Sequence, residues 1–325
     1  MAAHETIRWG IASTGKIAAA MTTALRTLPD AEVVAVGSRS LDAADAFASR
    51  FGIPNVHGSH DALYGDDDVD IVYVASPHSH HHAMTIDALD AGRHVLCEKA
   101  FALNAAQARE MVAAAARNDR FLMEAMWTWF IPAVTEVKRR VDAGEIGELR
   151  LIEADFGLPI HDEQGRHRRN DLAGGALLDL GIYPMTLAWW VLGEPDRIQH
   201  VGRLAATGAD DEVALLCSWA DGAVALLTCS TAVSGSMEAR IEGTEGVVVF
   251  PAPAHASGSA TIRRGLDTEE ITGQPASLHH QVVEVHRCLR DGLNESPRMP
   301  WATSRAMLAR FDEIRRDLGV VYPGE

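Results

Sequence analysis

The stretch that decides the fold is Ile7-Arg-Trp-Gly-Ile-Ala12-Ser13-Thr14-Gly15-Lys16-Ile17-Ala18. Its first six residues are a short apolar run of strand character, and an alanine-rich helical run follows. The junction has the spacing G-x-G-x-x-G/A, with Ser13 at the first glycine, Gly15 at the second and Ala18 at the third. Gly15 lets the backbone approach a pyrophosphate, which the free N–H groups and dipole of the helix N-terminus then hold. An ordinary strand-to-helix turn looks the same locally, and Ser13 departs from the glycine that serves the tight turn.

The next strand separates these readings. Glu32-Val-Val-Ala-Val-Gly37 ends at Ser38-Arg39-Ser40, about 20 residues past the loop, where an NAD enzyme places an acid on the ribose 2′-hydroxyl. Here that place holds two hydroxyls and an arginine. Arg39 suits the 2′-phosphate of NADP as a planar, charge-assisted donor. Its other reading is a solvated surface arginine.

A third strand, Asp70 to Ala75, precedes Ser76-Pro77-His78-Ser79-His80-His81-His82. Adjacent histidines point in different directions and no acid or thiolate accompanies them, so no metal site is expected. The run is expected to cap a helix over 82–91, with one or two histidines facing the nicotinamide half of a cofactor. Ala91-Gly-Arg-His-Val-Leu-Cys97-Glu98-Lys99-Ala100 then reads as a strand that delivers Lys99 to the carboxyl edge of the sheet. A helix over 105–118 and a strand over 121–125 complete a doubly wound parallel sheet. Residues 1–126 thus form an α/β Rossmann dinucleotide-binding domain.

Residues 127–325 read differently. After a helix over 133–143, strand candidates (148–156, 197–206, 211–219, 222–231, 236–242, 246–250, 259–264) follow one another without crossover helices. That pattern implies an α+β domain with an open-faced, mostly antiparallel sheet, whose second face needs helices or another subunit. Within it lies Gly174-Gly175-Ala-Leu-Leu-Asp179-Leu-Gly181-Ile-Tyr183-Pro184. Asp179 and Tyr183 are four apart, hence on one face of a continuous helix, although Gly181 and Pro184 argue for a break. A capping Asp179 and a core Tyr183 are the structural alternatives. Trp127, Trp129 and Phe156 offer aromatic faces to a substrate, or ordinary packing at a domain junction. Residues 157–171, with His161, His167, Arg168 and Arg169, form a polar loop, and helices are expected over 276–291 and 302–318.

A chain of 325 residues with 47% hydrophobic and 23% charged residues accommodates about two globular domains. Its formal charge of −16 argues against nucleic-acid or anionic-membrane partners. Cys97, Cys217, Cys229 and Cys288 lie far apart and read as reduced core thiols of a cytoplasmic protein. The start lacks a basic, then apolar, leader, and no apolar run approaches the roughly 20 residues of a membrane span.

Taken in order, Ser13 to Ala18, Val74-Ala-Ser-Pro77-His78-Ser-His-His81, Ala91 to Lys99 and Gly174 to Tyr183 resemble the glucose-fructose oxidoreductase/inositol dehydrogenase (Gfo/Idh/MocA) family over nearly the full length. Within it, Arg8-Trp-Gly-Ile11, Leu122-Met-Glu-Ala-Met-Trp127-Thr128 and the Gly-Ile-Tyr183 ending look most like the dihydrodiol and NADP-dependent xylose dehydrogenase branch. The resemblance implies hydride transfer with NADP or NAD, NADP being the cofactor expected, and a homodimer formed through the second domain's sheet. It implies Lys99, Tyr183 and Asp179 as catalytic residues. Cofactor contacts are then expected from Ser13, Thr14, Gly15, Lys16 and Ile17, and from Ser38 and Arg39 on the next loop. Ser76, Pro77, His78 and His81 would add to them, with Glu98 and Lys99. Substrate contacts are expected from Trp127, Trp129, Phe156, Asp179 and Tyr183. Ala100 stands where the family has proline, Trp129 where relatives often have arginine, and His78 where many have asparagine.

On this reading Tyr183 takes the hydroxyl proton, Lys99 tunes and orients it, and Asp179 holds a second hydroxyl or the lysine. The substrate is a small molecule with adjacent hydroxyls, a cyclic trans-diol or an aldose. Two other classes compete: an NADP-binding sugar sensor or carrier without turnover, which needs no base, and a metal hydrolase built on His78 to His82.

Overall fold

The computed structural model describes residues 6–162, 165–323 and 325. The chain divides into two compact units, one of residues up to Trp127 with Leu278–Leu308, the other Thr128–Ser277 with Ala309–Glu325.

The first unit runs β1 (Ile7–Ala12), α1 (Lys16–Leu25), β2 (Ala31–Gly37), α2 (Leu41–Phe51), β3 (Asn55–His57) and α3 (His60–Tyr64). It continues through β4 (Ile71–Val74), α4 (His78–Asp90), β5 (His94–Glu98), α5 (Ala105–Asn118) and β6 (Leu122–Ala125). The strands are parallel in the order β3-β2-β1-β4-β5-β6. β1 and β4 are the neighbours at which the order reverses, which opens a crevice at their carboxyl ends. Ile71-Val-Tyr-Val74 is buried throughout, as a central strand covered on both faces must be. Ser40, Ser59 and Asn104 cap α2, α3 and α5 through their side chains, and Gly52, in the left-handed region at φ +63°, ends α2.

Two features differ from expectation here. The histidine run does not precede its helix but forms its first turns, because Pro77, with its fixed φ, is the N-cap and α4 starts at His78. The segment Leu278–Leu308 belongs to this first unit rather than to one continuous second half. It carries α8 (His279–Arg290) and the start of a helix over Trp301–Leu318. A chain of polar contacts running from the core to the surface secures α8: the Trp9 indole N–H donates to His286 Nε2 (3.1 Å), His286 Nδ1 lies 3.1 Å from Asp30, and Arg290 donates to the same carboxylate (2.6 Å). Burial of the imidazole costs little because both ring nitrogens are partnered.

In the second unit, α6 (Pro132–Asp142) leads to β7 (Leu149–Gly157), and α7 (Ile182–Leu192) precedes β8 (Arg197–Leu204), β9 (Asp210–Ser218) and β10 (Val224–Ser230). β11 (Ala239–Gly243), β12 (Val247–Phe250), β13 (Ser259–Arg264) and an additional edge strand, β14 (Asp267–Thr272), complete an eight-stranded sheet. Its order is β14-β13-β12-β11-β7-β10-β9-β8, antiparallel except between β7 and β10. Residues alternate over the middle of β9 and β10: Leu215, Cys217, Ala225 and Leu227 are buried, whereas Leu216 and Leu226, paired across the two strands, are exposed. Asn170–Leu192 is apolar and long enough to match a membrane span, contrary to the expectation of none, and 78% of its apolar window is buried inside the unit, as a core helix requires. All four cysteines are buried free thiols.

Candidate active site

In the first unit the three loops at the carboxyl edge of β1, β2 and β4 enclose a cleft of about 230 Å³. Ser13 and Thr14 come from the first loop, Ser38 and Arg39 from the second, Ser76 and Pro77 from the third. Ser13 adopts φ +147°, so the place of the motif's first glycine keeps a glycine-like backbone with a serine side chain. Its hydroxyl oxygen accepts the Gly15 N–H at 3.3 Å. Gly15 itself has an ordinary φ of −74°, and a Cβ there would meet nothing nearer than Ser13 Oγ at 3.7 Å. Neither backbone strain nor packing within the protein demands glycine; the space belongs to whatever approaches the N-terminus of α1. Lys16 and Ile17 open that helix and are exposed. The Ser76 hydroxyl is buried without a protein partner, the condition in which a polar ligand group is welcome. These residues fit a dinucleotide pyrophosphate.

Two histidines of α4 serve the scaffold. His81 is fully buried, and its Nδ1 and Nε2 lie 2.8 Å from Ala100 O and 2.9 Å from Ser76 O. It ties the loop after β4 to the turn after β5. His78, also buried, meets its ring edge-on at 5.5 Å. His82 faces Glu110 at 2.7 Å.

β5 carries Glu98, buried and receiving the Tyr73 hydroxyl proton in a hydrogen bond, and then half-buried Lys99. The Lys99–Ala100 peptide is cis although no proline is present. Beyond it the Phe101 N–H donates to Glu124 Oε1 (3.0 Å), while the Ser304 hydroxyl donates to Glu124 Oε2 (2.6 Å). The turn after the lysine is therefore held by His81 on one carbonyl and Glu124 on one amide. Burial, with Glu98 adding and the two hydrogen bonds and Lys99 opposing, pushes the Glu124 carboxyl up to about 7.

In the second unit Asp179 and Tyr183 share one continuous helix. A π turn over Leu177–Gly181 runs directly into α7, and Gly181 (φ −62°, ψ −23°) and Ile182 are helical. The break suggested by Gly181 and Pro184 is absent: the wider π turn accommodates the residue that cannot donate. Gly181 is needed because a Cβ would stand 2.8 Å from Cys229 Sγ on β10. Gly174 and Gly175 have equally concrete causes. A Cβ at 174 would strike Arg166 O at 2.4 Å; Gly175, at φ +142°, would strike Asp210 at 2.2 Å. Close passage of the 166–167 backbone brings its side chains to Asp179, whose buried carboxylate accepts two hydrogen bonds from Arg166 (both 3.2 Å) and contacts His167. Asp179 is thus no helix cap.

Tyr183 packs into an aromatic group in which Phe156 lies 5.4 Å away and His255 4.8 Å, with His255 stacked on Phe156 at 4.3 Å. Thr128 fixes this third ring by donating its hydroxyl to His255 O at 2.8 Å. The rings border a small cavity that Pro184 and Leu187 also line. Trp129 is 4% exposed and stacks on Trp190 at 6.3 Å. Trp127 ends the first unit, half-buried in a 3₁₀ turn. His255, Arg166 and Asp210 escape sequence reading because no motif marks them, and Asp210 reaches its helix from another strand.

Residues 7–126 match the model of the oxidoreductase family with an NAD-binding Rossmann fold, and residues 134–249 match the GFO/IDH/MocA C-terminal domain. The chain belongs to the Gfo/Idh/MocA oxidoreductase family. It is 38% identical over 329 residues to trans-1,2-dihydrobenzene-1,2-diol dehydrogenase of Danio rerio, covering 97% of this chain and 98% of that one. The Homo sapiens enzyme of the same name is 37% identical over 330 residues, covering 98% of both. Among solved structures, a 3-ketoreductase from Actinomadura kijaniata in complex with NADP superposes with a TM-score of 0.85 at 28% identity, covering 96% of this chain and 98% of that one. An aldose-aldose oxidoreductase from Caulobacter crescentus shares the fold, with a TM-score of 0.89 at 24% identity over 97% and 98% of the two chains. As a Gfo/Idh/MocA member the chain is an NAD(P)-dependent oxidoreductase, and Ala100, Trp129 and His78 are all buried.

Proposed function

We propose that this chain oxidises a small vicinal diol, a trans-dihydrodiol or an aldose such as D-xylose, with NADP as cofactor. The observation that carries the reading is the setting of Tyr183: a helix-borne phenol against Phe156 and His255, one helical turn beyond a buried, hydrogen-bonded Asp179. Family membership and the dihydrodiol dehydrogenases among the relatives support it.

Bound NADP supplies the hydride acceptor. The substrate loses a hydride from a carbinol carbon and a proton from its oxygen, leaving a carbonyl. Tyr183 takes that proton. A phenol with an ordinary pKa near 10 is a weak base at neutral pH, so proton transfer to it calls for a cation that favours the phenolate, the role the sequence motif assigns to Lys99. Asp179 orients a second substrate hydroxyl, and Phe156 offers a ring face. Positioned proton transfer of this kind contributes roughly 10²- to 10⁴-fold. The test is absorbance at 340 nm with NADP or NAD and a panel of cyclic diols, pentoses and hexoses. NADP-dependent growth of the signal with one class supports the reading; silence across the panel beside tight NADP binding favours a carrier and overturns it.

The open face of the eight-stranded sheet supports a homodimer. Leu216 and Leu226 lie side by side there, and Val201 on β8 is 69% exposed, an apolar surface that a second copy would cover. Four buried, unpaired thiols fit a cytoplasmic protein.

A further inference from the structure

We propose that His60 and His80 join Arg39 in a cationic clamp for the 2′-phosphate of NADP, so that selection of NADP over NAD strengthens as pH falls. The proposal rests on the NADP reading above and adds residues and a pH dependence to it.

The chain carries 45 acidic residues against 29 lysines and arginines, yet among the described residues no acidic one lines the cleft between the β1, β2 and β4 loops. Its titratable lining residues are Arg39, His60 and His80. They come from three separate places, the loop after β2, the first residue of α3 and the first turn of α4. Their convergence is therefore a product of the fold. An NAD site needs a carboxylate for the ribose hydroxyls; this cleft offers positive charge and the Ser38 hydroxyl instead.

The two imidazoles are presented by regular structure. Ser59 caps α3 through its side chain, and the His60 ring stacks on Tyr64 one turn later at 6.3 Å and 23°. His80 is held in the opening turn of α4, where its N–H donates to Pro77 O at 2.9 Å. Burial first, and then the Arg39 charge, lowers the pKa of both rings; at His60, Asp61 partly opposes this and His80 adds to it. The free cleft therefore keeps both neutral at physiological pH. A phosphate dianion reverses the sign: its charge favours imidazolium, which donates a charge-assisted hydrogen bond. Binding then takes up protons, and affinity for the phosphorylated cofactor rises as pH falls, by at most about tenfold per pH unit for each proton taken up. Protonation of the phosphate itself, with a second pKa near 6, acts in the opposite direction, so a rise above that pH reports the protein.

The experiment is titration calorimetry on the intact chain with NADP, NAD, 2′,5′-ADP and 5′-ADP between pH 8.0 and 6.5, in buffers of different ionisation enthalpy. The expected result is proton uptake with NADP and 2′,5′-ADP alone, and a rise of at least about threefold in their affinity relative to NAD and 5′-ADP. The His60→Gln/His80→Gln variant should lose that rise and keep its NAD affinity. A pH-independent ratio in the wild type, or a slope that survives the double substitution, overturns the clamp while leaving NADP as the cofactor. NADP binding no tighter than NAD at any pH overturns the cofactor reading and the clamp with it.

Discussion

The Leu177 backbone N–H donates to the Asp210 carboxylate at 2.5 Å, so a residue of β9 sets the start of the helix that carries both Asp179 and Tyr183. The carboxylate sits where a helix N-terminus is most receptive to negative charge. It is fully buried, and burial, only partly offset by backbone amides, raises its carboxyl to about 6. Gly175 makes room for it.

Gly175→Ala should therefore destabilise the second unit. The new methyl meets Asp210 Oδ1, and the φ of +142° is unfavourable for alanine. Overpacking and backbone strain of this kind cost roughly 1 to 3 kcal/mol, read as a lower urea midpoint, and turnover should fall with it because Asp179 and Tyr183 follow about one and two helical turns later.

Lys99→Ala and Tyr183→Phe should each lower turnover by about 10²-fold or more, the usual worth of positioned acid–base catalysis. NADP affinity should stay measurable in both. Stopped-flow and steady-state rates check this; near-normal turnover in either variant removes that residue from the chemistry.

Arg39→Ala should weaken NADP binding by tenfold or more, about 1.4 kcal/mol, and leave NAD binding within twofold. Fluorescence titration of both cofactors measures the ratio. A wild-type preference for NAD of tenfold would refute the role given to this arginine.

His94 predicts the acid limb of stability. Its Nδ1 accepts the Phe121 N–H at 2.9 Å, and burial, then the Arg120 charge, pushes its pKa down to about 4. The unfolded chain, with an ordinary value of about 6.5, takes the proton first. Stability is therefore lost as pH falls through about 6.5 toward the folded value, by up to about 3 kcal/mol. Glu124 and Asp210, raised to about 7 and about 6, act oppositely: the stability they contribute is full at low pH and is lost as pH rises through those values. Urea unfolding of wild type against His94→Gln from pH 7 to 4 isolates the histidine, and an unchanged difference between the two would remove it as the cause.

Leu226→Lys should produce monomers. It places an ammonium beside Leu216 on the open sheet face, where a second copy would have to desolvate it. Sedimentation equilibrium decides: a monomeric wild type disposes of the dimer, and a dimeric variant moves the interface elsewhere.

Much of the first unit is legible residue by residue. Ile7–Ala12, Ala105–Asn118 and the strand that ends beside Lys99 declare themselves through short-range pattern, since apolar runs, caps and Gly15 act over one turn or one strand. The return of Leu278–Leu308 to that unit was not legible, because Trp9 and His286 meet across 277 positions. β3, α3 and β14 also escape notice, being short and only partly apolar. The break expected at Pro184 failed because a π turn changes which carbonyl an amide would seek, a choice made by packing on β10.

By itself the sequence determined the Rossmann order, the open sheet and the family, because these follow from periodicity and from motifs read along the chain. Only the tertiary structure decided that His255 packs on Tyr183 and that Arg166 reaches Asp179. It also decided that Glu124 and His81 hold the turn after Lys99, and that two histidines share a cleft with Arg39. Each of these contacts joins residues distant in the chain, and no local pattern encodes a neighbour that folding alone supplies.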